Sequence, residues 1–228
     1  MFYPPLIFIL MVFFFLITLI LLPFLWLGII GNAFVALGIP PHTVFWLLLL
    51  TLLGSLVNIP LTTIESHDVL SGQVISYFGM QVRLPPARAI RQTTLAINVG
   101  GALIPAALSL YLFVKIAERI GLSLGLLAVL GMVTAVMYRL AKPVKGLGIA
   151  VPGLIPPLVA AVGAWLLCPQ EFRAPCAYIA CTMGTLIGAD LLHLGDIGSM
   201  GAPVASIGGA GTFDAIFLGG IIAVLLSY

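Results

Sequence analysis

Two carboxylates stand apart from the rest of this sequence. Asp190 lies in Gly188-Ala189-Asp190-Leu191-Leu192 and Asp214 in Gly211-Thr212-Phe213-Asp214-Ala215, both in otherwise apolar surroundings. An acid at membrane depth is costly and usually faces a bundle interior or a cavity, so each is a candidate for function. Two carboxyls at short range share one proton, which leaves one acid and one base. That pair can activate a water for attack on a peptide carbonyl. The same carboxylates could instead hold a transported proton or cation. A structural role is the third reading, with Asp214 a first-turn acid stabilised by its helix dipole and Asp190 paired with a basic group.

Other chemistry-bearing residues are weaker. Glu65, His67 and Asp68, with His193 and Asp196, offer metal donors, but no zinc-motif spacing links them and a solvated interface is the better reading. No phosphate loop or dinucleotide fingerprint occurs, so neither a metal nor a cofactor is expected. Asn58 and Asn98 read as hydrogen-bond partners between helices. Ala180, Gly184 and Gly188 recur every fourth residue, as do Ala215, Gly219 and Ala223, and such stripes serve close helix packing. Cys168 and Cys176 bracket residues 169–175 and are either a disulfide or two small apolar side chains, while Cys181 reads as apolar packing.

The elements that must position these residues follow from composition. Of 228 residues, 62% are hydrophobic and 7% charged, and the mean hydropathy is +1.26. A soluble domain carries about 25% charged residues, so the expected class is all-α, a polytopic transmembrane helical bundle forming one domain over residues 1–228. About seven spans are expected, at 6–30, 43–60, 93–114, 122–141, 151–168, 175–193 and 213–227. Pro23, Pro105, Pro156 and Pro157 should kink or interrupt them. Residues 74–84 have β-rich arms around a Gly-X pair, which predicts a small β-hairpin within the connection 66–92. The Gly-rich stretch 194–211 should fold back against the bundle.

The first apolar run, 6–30, is too long for a signal peptide and has no Lys or Arg before it, so it reads as a retained span. The even connections hold Arg83, Arg88, Arg91, Arg139, Lys142 and Lys145, the odd ones Lys115, Arg119 and Arg173. This places the N-terminus, and the connection between the two acids, in the cytoplasm. The thin net charge of +2 argues against a nucleic-acid partner. The expected partner is the lipid bilayer.

The stretch 188–227, with Ile207-Gly208-Gly209-Ala210-Gly211-Thr212-Phe213-Asp214 followed by Ala215-Ile216-Phe217-Leu218-Gly219, resembles an uncharacterised integral membrane family of archaea and bacteria. It also resembles the active-site region of the Gly-x-Gly-Asp intramembrane aspartyl proteases, which include presenilin, signal peptide peptidase and prepilin peptidase. The resemblance implies a prokaryotic cell membrane, a transmembrane peptide substrate and catalysis by Asp190 and Asp214. It makes Gly211 and Gly219 motif-supporting positions, and Pro152 and Leu154 the nearest echo of that group's Pro-Ala-Leu element. Phe213 stands where the motif has its second glycine, Ala189 where presenilins have tyrosine, and the Pro152 echo precedes both acids rather than following them. The expected function is therefore an intramembrane aspartic hydrolase, with a proton- or cation-coupled transporter and a structural membrane protein as alternatives.

Overall fold

The computed structural model describes the backbone of residues 5–70, 74–77, 80–83, 87–144, 148–197, 202–209 and 216–227, and the side chains of residues 11–17, 26–64, 92–144, 148–197, 202–209 and 216–227. Helix α1 (Pro5–Ala36) has 32 residues and no charge in its first or last turn. It ends at Gly38, whose φ of 74° is open to glycine without Cβ strain. Pro40 then starts α2 (Pro41–Gly54) after a bend of 115°.

The hydrophobic run that continues past Gly54 does not stay helical. Asn58 opens β1 (Asn58–Leu70), which pairs antiparallel with β4 (Ala87–Asn98) from Asn58 opposite Asn98 to Leu70 opposite Ala87. The register slips between Pro60 and Thr62, because Pro60 has no N–H for the ladder and a bulge absorbs the extra residue. Between these arms, β2 (Val74–Tyr77) and β3 (Met80–Arg83) form the expected hairpin, with Tyr77 opposite Met80. In sequence this hairpin lies between β1 and β4, the two arms of a ribbon, each about 40 Å long at about 3.3 Å per residue. The expected class of all-α with one small hairpin becomes a mainly helical chain with a small sheet. In that sheet β7 (Val204–Ile207) lies parallel to β4, Thr94 opposite Val204 and Ile97 opposite Ile207.

Past Asn98 the chain winds one π-turn, Val99–Leu103, into α3 (Ile104–Ile120). Gly121, at φ 73°, and Ser123, whose Oγ accepts from Leu126 N at 3.3 Å, close α3 and open α4 (Leu124–Leu140). A short hairpin, β5 (Lys142–Val144) with β6 (Gly148–Ala150), leads to α5 (Ile155–Leu167). Pro156 and Pro157 sit in the first turn of α5, where a missing N–H costs nothing, so they start the helix rather than kink it. A 3₁₀ turn, Gln170–Phe172, opens α6 (Arg173–Thr185), and α7 (Phe217–Leu226) follows β7.

Among the described residues two helical stretches are long and apolar enough to cross a membrane, Val99–Ile120 and Gln170–Asp196. The bent pair Trp26–Ala36 and Pro41–Gly54 adds a third if it is one span, and Leu124–Leu140, Ile155–Leu167 and Phe217–Leu226 are shorter apolar helices. The described residues thus give two or three candidate spans, and the seven expected are not supported. The run 93–114 shows why: its first residues lie in the middle strand of the sheet, covered by β1 and β7. A doubly covered strand and a buried helix are equally apolar in sequence.

Helix α6 is the axis of the bundle, with Cys176, Ala177, Tyr178, Ala180, Cys181 and Thr182 all at 0% exposure and α3, α4, α5 and α7 packed around it. A Cβ on Gly188 would lie 2.9 Å from Met137 Cβ of α4, and one on Gly220 would lie 2.6 Å from Thr182 Oγ1. The spaced small residues are where neighbouring helices touch. Cys168 and Cys176 are buried free thiols rather than a disulfide. A second, smaller core joins sheet to helices through Leu95, Ala102, Leu186, Ala205, Ile207 and Ile216.

Candidate functional site

Beyond Thr185 the axis helix widens into a π-turn, Leu186–Asp190, and then tightens into a 3₁₀ segment, Leu191–Asp196. The Leu191 N–H is shared between the Ile187 and Leu186 carbonyls, which marks the change of pitch. A π-turn takes up one more residue than an α-turn, so Asp190 occupies the direction that residue 189 would have in a regular helix. It thereby follows Tyr178, Thr182 and Thr185 on the i, i+4, i+7 line of α6. Such turns recur at functional sites.

The second half of the site is the chain that folds back after β7. Gly208 and Gly209 have φ of 84° and 69°, a left-handed pair that turns the strand end inward. The Gly208 N–H donates to Asp190 Oδ2 at 2.7 Å. The Gly208 carbonyl rests against Gly101, where a Cβ would collide with it, so the loop packs directly on the π-turn Val99–Leu103. That turn lies just ahead of Pro105, whose missing N–H and ring disfavour a regular i to i−4 turn.

Asn98 locks the arrangement from beneath. It is fully buried, its Oδ1 accepts from Gly101 N at 2.7 Å, and its Nδ2 donates to Ser55 O at 2.8 Å and Asn58 Oδ1 at 3.1 Å. Ser206 Oγ donates to the same Asn58 oxygen at 2.8 Å, and Thr93 Oγ1 donates to Ala202 O at 2.7 Å. The end of α2, the root of the ribbon, one π-turn and the returning loop are thus tied together, and Asp190 caps the loop.

His193, one turn past Asp190, is buried rather than solvated. Its Nδ1–H donates to Gly188 O at 3.1 Å, and its ring lies 5.0 Å from the Tyr138 ring. Among the described residues no three His, Cys, Asp or Glu side chains group as a metal site; the side chains of Glu65, His67 and Asp68 lie outside them.

Of the residues read from the sequence, Asp190 is placed as described, half-buried at the returning loop. Asp214 and Gly211 lie outside the described residues. Gly219 faces Cys181 Sγ and Pro157, a packing contact. Pro152 accepts from Ile155 N at 3.3 Å before α5, and Leu154 is 66% exposed. Asn58 and Asn98 do bond to each other, but as the root pair of a ribbon rather than between two helices. Sequence reasoning missed Gly208, since a backbone donor leaves no side-chain signature; its only signal was the Gly-Gly pair at 208–209.

No curated protein and no solved structure matches the chain. A family match extends over residues 52–226, from the end of α2 through both π-turns to the end of α7. The chain belongs to that family, described as a protein of unknown function, DUF1614.

Proposed function

We propose that this protein is an integral membrane aspartic hydrolase in which Asp190 and Asp214 share a proton. The observation that carries the reading is that the described chain on both sides of Asp214 returns to the turn bearing Asp190. Gly208 donates to the Asp190 carboxylate, and Ile216 packs in the cluster containing Leu186. The resemblance of residues 188–227 to the Gly-x-Gly-Asp proteases supports it. In the reaction, the ionised carboxyl takes a proton from water as its oxygen attacks the scissile carbonyl carbon. The protonated carboxyl gives its proton to the carbonyl oxygen. Collapse of the gem-diol breaks the C–N bond and delivers a proton to the leaving amine. The Gly208 N–H orients Asp190 for this exchange.

The test is cleavage of a transmembrane peptide by purified protein in lipid. Asp190→Asn and Asp214→Asn should each lower the rate by about 10²–10⁴-fold without loss of fold, and the wild-type rate should be bell-shaped in pH. Two Asn variants that cleave as the wild type does would end the reading.

A second reading, proton or cation transport, is favoured by a different observation. Thr51, Ser109 and Thr134 each donate to the carbonyl four residues earlier. Tyr178, Thr182 and Thr185 of α6 do not, and among the described residues their buried hydroxyls have no hydrogen-bond partner. These hydroxyls lie on the line that ends at Asp190. Under this reading wild-type protein cleaves nothing, and proteoliposomes show an ion flux that Asp190→Asn and Thr182→Val both abolish.

A further inference from the structure

At the end of the bundle opposite Asp190, the last turn of α1, the start of α6 and the end of α7 border a half-open cavity of about 220 Å³. Ala36, Gln170, Glu171, Arg173, Ala174 and Ser227 line it. Its cation is Arg173. The guanidinium carbon lies 5.5 Å from the centroid of the Trp165 ring of α5, and Nε is buried without a hydrogen-bond partner among the described residues. The nearest acid, Glu171, is exposed and turns to Arg119 at 3.9 Å. Among the described residues Arg173 therefore has no carboxylate partner.

A half-buried guanidinium with a free N–H calls for an anion. Its planar fork fits two oxygens of one phosphate. Ser227 Oγ already donates to Val224 O, which leaves Arg173 and Gln170 as the side-chain donors among the lining residues. The surface around Trp165 indicates where such a phosphate comes from. Val162, Trp165 and Leu166 of α5 are 56%, 58% and 65% exposed, and at i, i+3 and i+4 they form one apolar stripe leading away from the guanidinium. A Trp and an Arg above an apolar stripe is the arrangement of a membrane interface, ring and charge at headgroup level and acyl chain alongside.

We propose that Arg173, stacked on Trp165, binds the phosphate of an anionic phospholipid whose acyl chain lies along α5. The proposal rests on the membrane placement of the bundle and not on the role of Asp190. Native mass spectrometry on the detergent-purified protein, titrated with phosphatidylglycerol, phosphatidylcholine and inorganic phosphate in separate arms, tests it. Wild type should retain one phosphatidylglycerol more tightly than phosphatidylcholine, Arg173→Gln should weaken it about tenfold or more, and Arg173→Lys should fall between. Asp190→Asn should retain the lipid as wild type does, so loss of peptide cleavage and loss of lipid binding separate. Equal retention by wild type and Arg173→Gln would overturn the proposal. So would inorganic phosphate displacing phosphatidylglycerol at equal concentration, which would make the cavity a site for free anions. If Arg173→Gln does not fold, Arg173→Lys decides: a lysine that binds as arginine does excludes the two-oxygen fork.

Discussion

Asn98 shows how much one buried amide can hold. Removing it strands the Gly101 N–H and the Ser55 carbonyl at the joint between ribbon and helices, and leaves the Asn58 oxygen with Ser206 alone. Asn98→Ala should destabilise the protein by about 2–4 kcal/mol, one or two unsatisfied buried groups. Asn98→Asp keeps the Gly101 acceptor but loses both donors and should fall in the same range, as thermal melting in detergent would show. An effect below about 0.5 kcal/mol would mean that the joint is held by packing alone. The residue scale is also where the sequence was most informative. Asp190 was visible because an acid in an apolar run has few reasons to be there, and the Asn58–Asn98 pair because polar groups in such runs need partners. Their partners' identities were less so. Gly208 acts through its backbone, and His193 through a carbonyl and a ring.

At the scale of elements, the features that place Asp190 are two irregular turns, and neither has a composition that announces it. Pro105 explains one after the fact, while Leu186–Asp190 contains nothing that an α-helix would refuse except Gly188, which serves contact with α4. The strand β4 was misread for a related reason. Thr93, Thr94 and Ile97 favour a strand, but their apolar neighbours continue without a break into α3. The π-turn makes an asymmetric prediction. Deleting Ala189 converts it to an α-turn and leaves Asp190 on the same line, so the protein should fold, with Asp190 still at Gly208. Inserting one Ala after Ile187 turns Asp190 by about 100° and breaks that hydrogen bond, so activity should vanish. Equal tolerance of both changes, judged by melting and by cleavage or flux, would show that the direction of Asp190 is immaterial.

For the whole molecule, the distribution of charge decides which end faces which side. An orientation counted over connections depends on seven spans, and the helices of the described residues do not provide seven. Position in the fold supplies a better one. Gly188 and His193, on either side of Asp190 in the sequence, meet Met137 and Tyr138 at the end of α4, next to Arg139 and Lys142. The opposite end carries Lys115 and Arg119 with Glu118 and Glu171, and Arg173 beyond them. The ribbon that carries Arg83, Arg88 and Arg91 roots at the same end, through the Gly208–Gly101 contact beside Asp190, and an excess of Lys and Arg marks the cytoplasmic side, so the Asp190 end should be cytoplasmic and the Arg173 cavity should lie in the other leaflet. A reporter inserted between β5 and β6 that works only in the cytoplasm should give signal, and one inserted between α5 and α6 should be silent. The reverse pattern would place Asp190 on the outer side. It would leave the lipid site intact but turn it to the cytoplasmic leaflet, where the phosphatidylglycerol preference should still be measured.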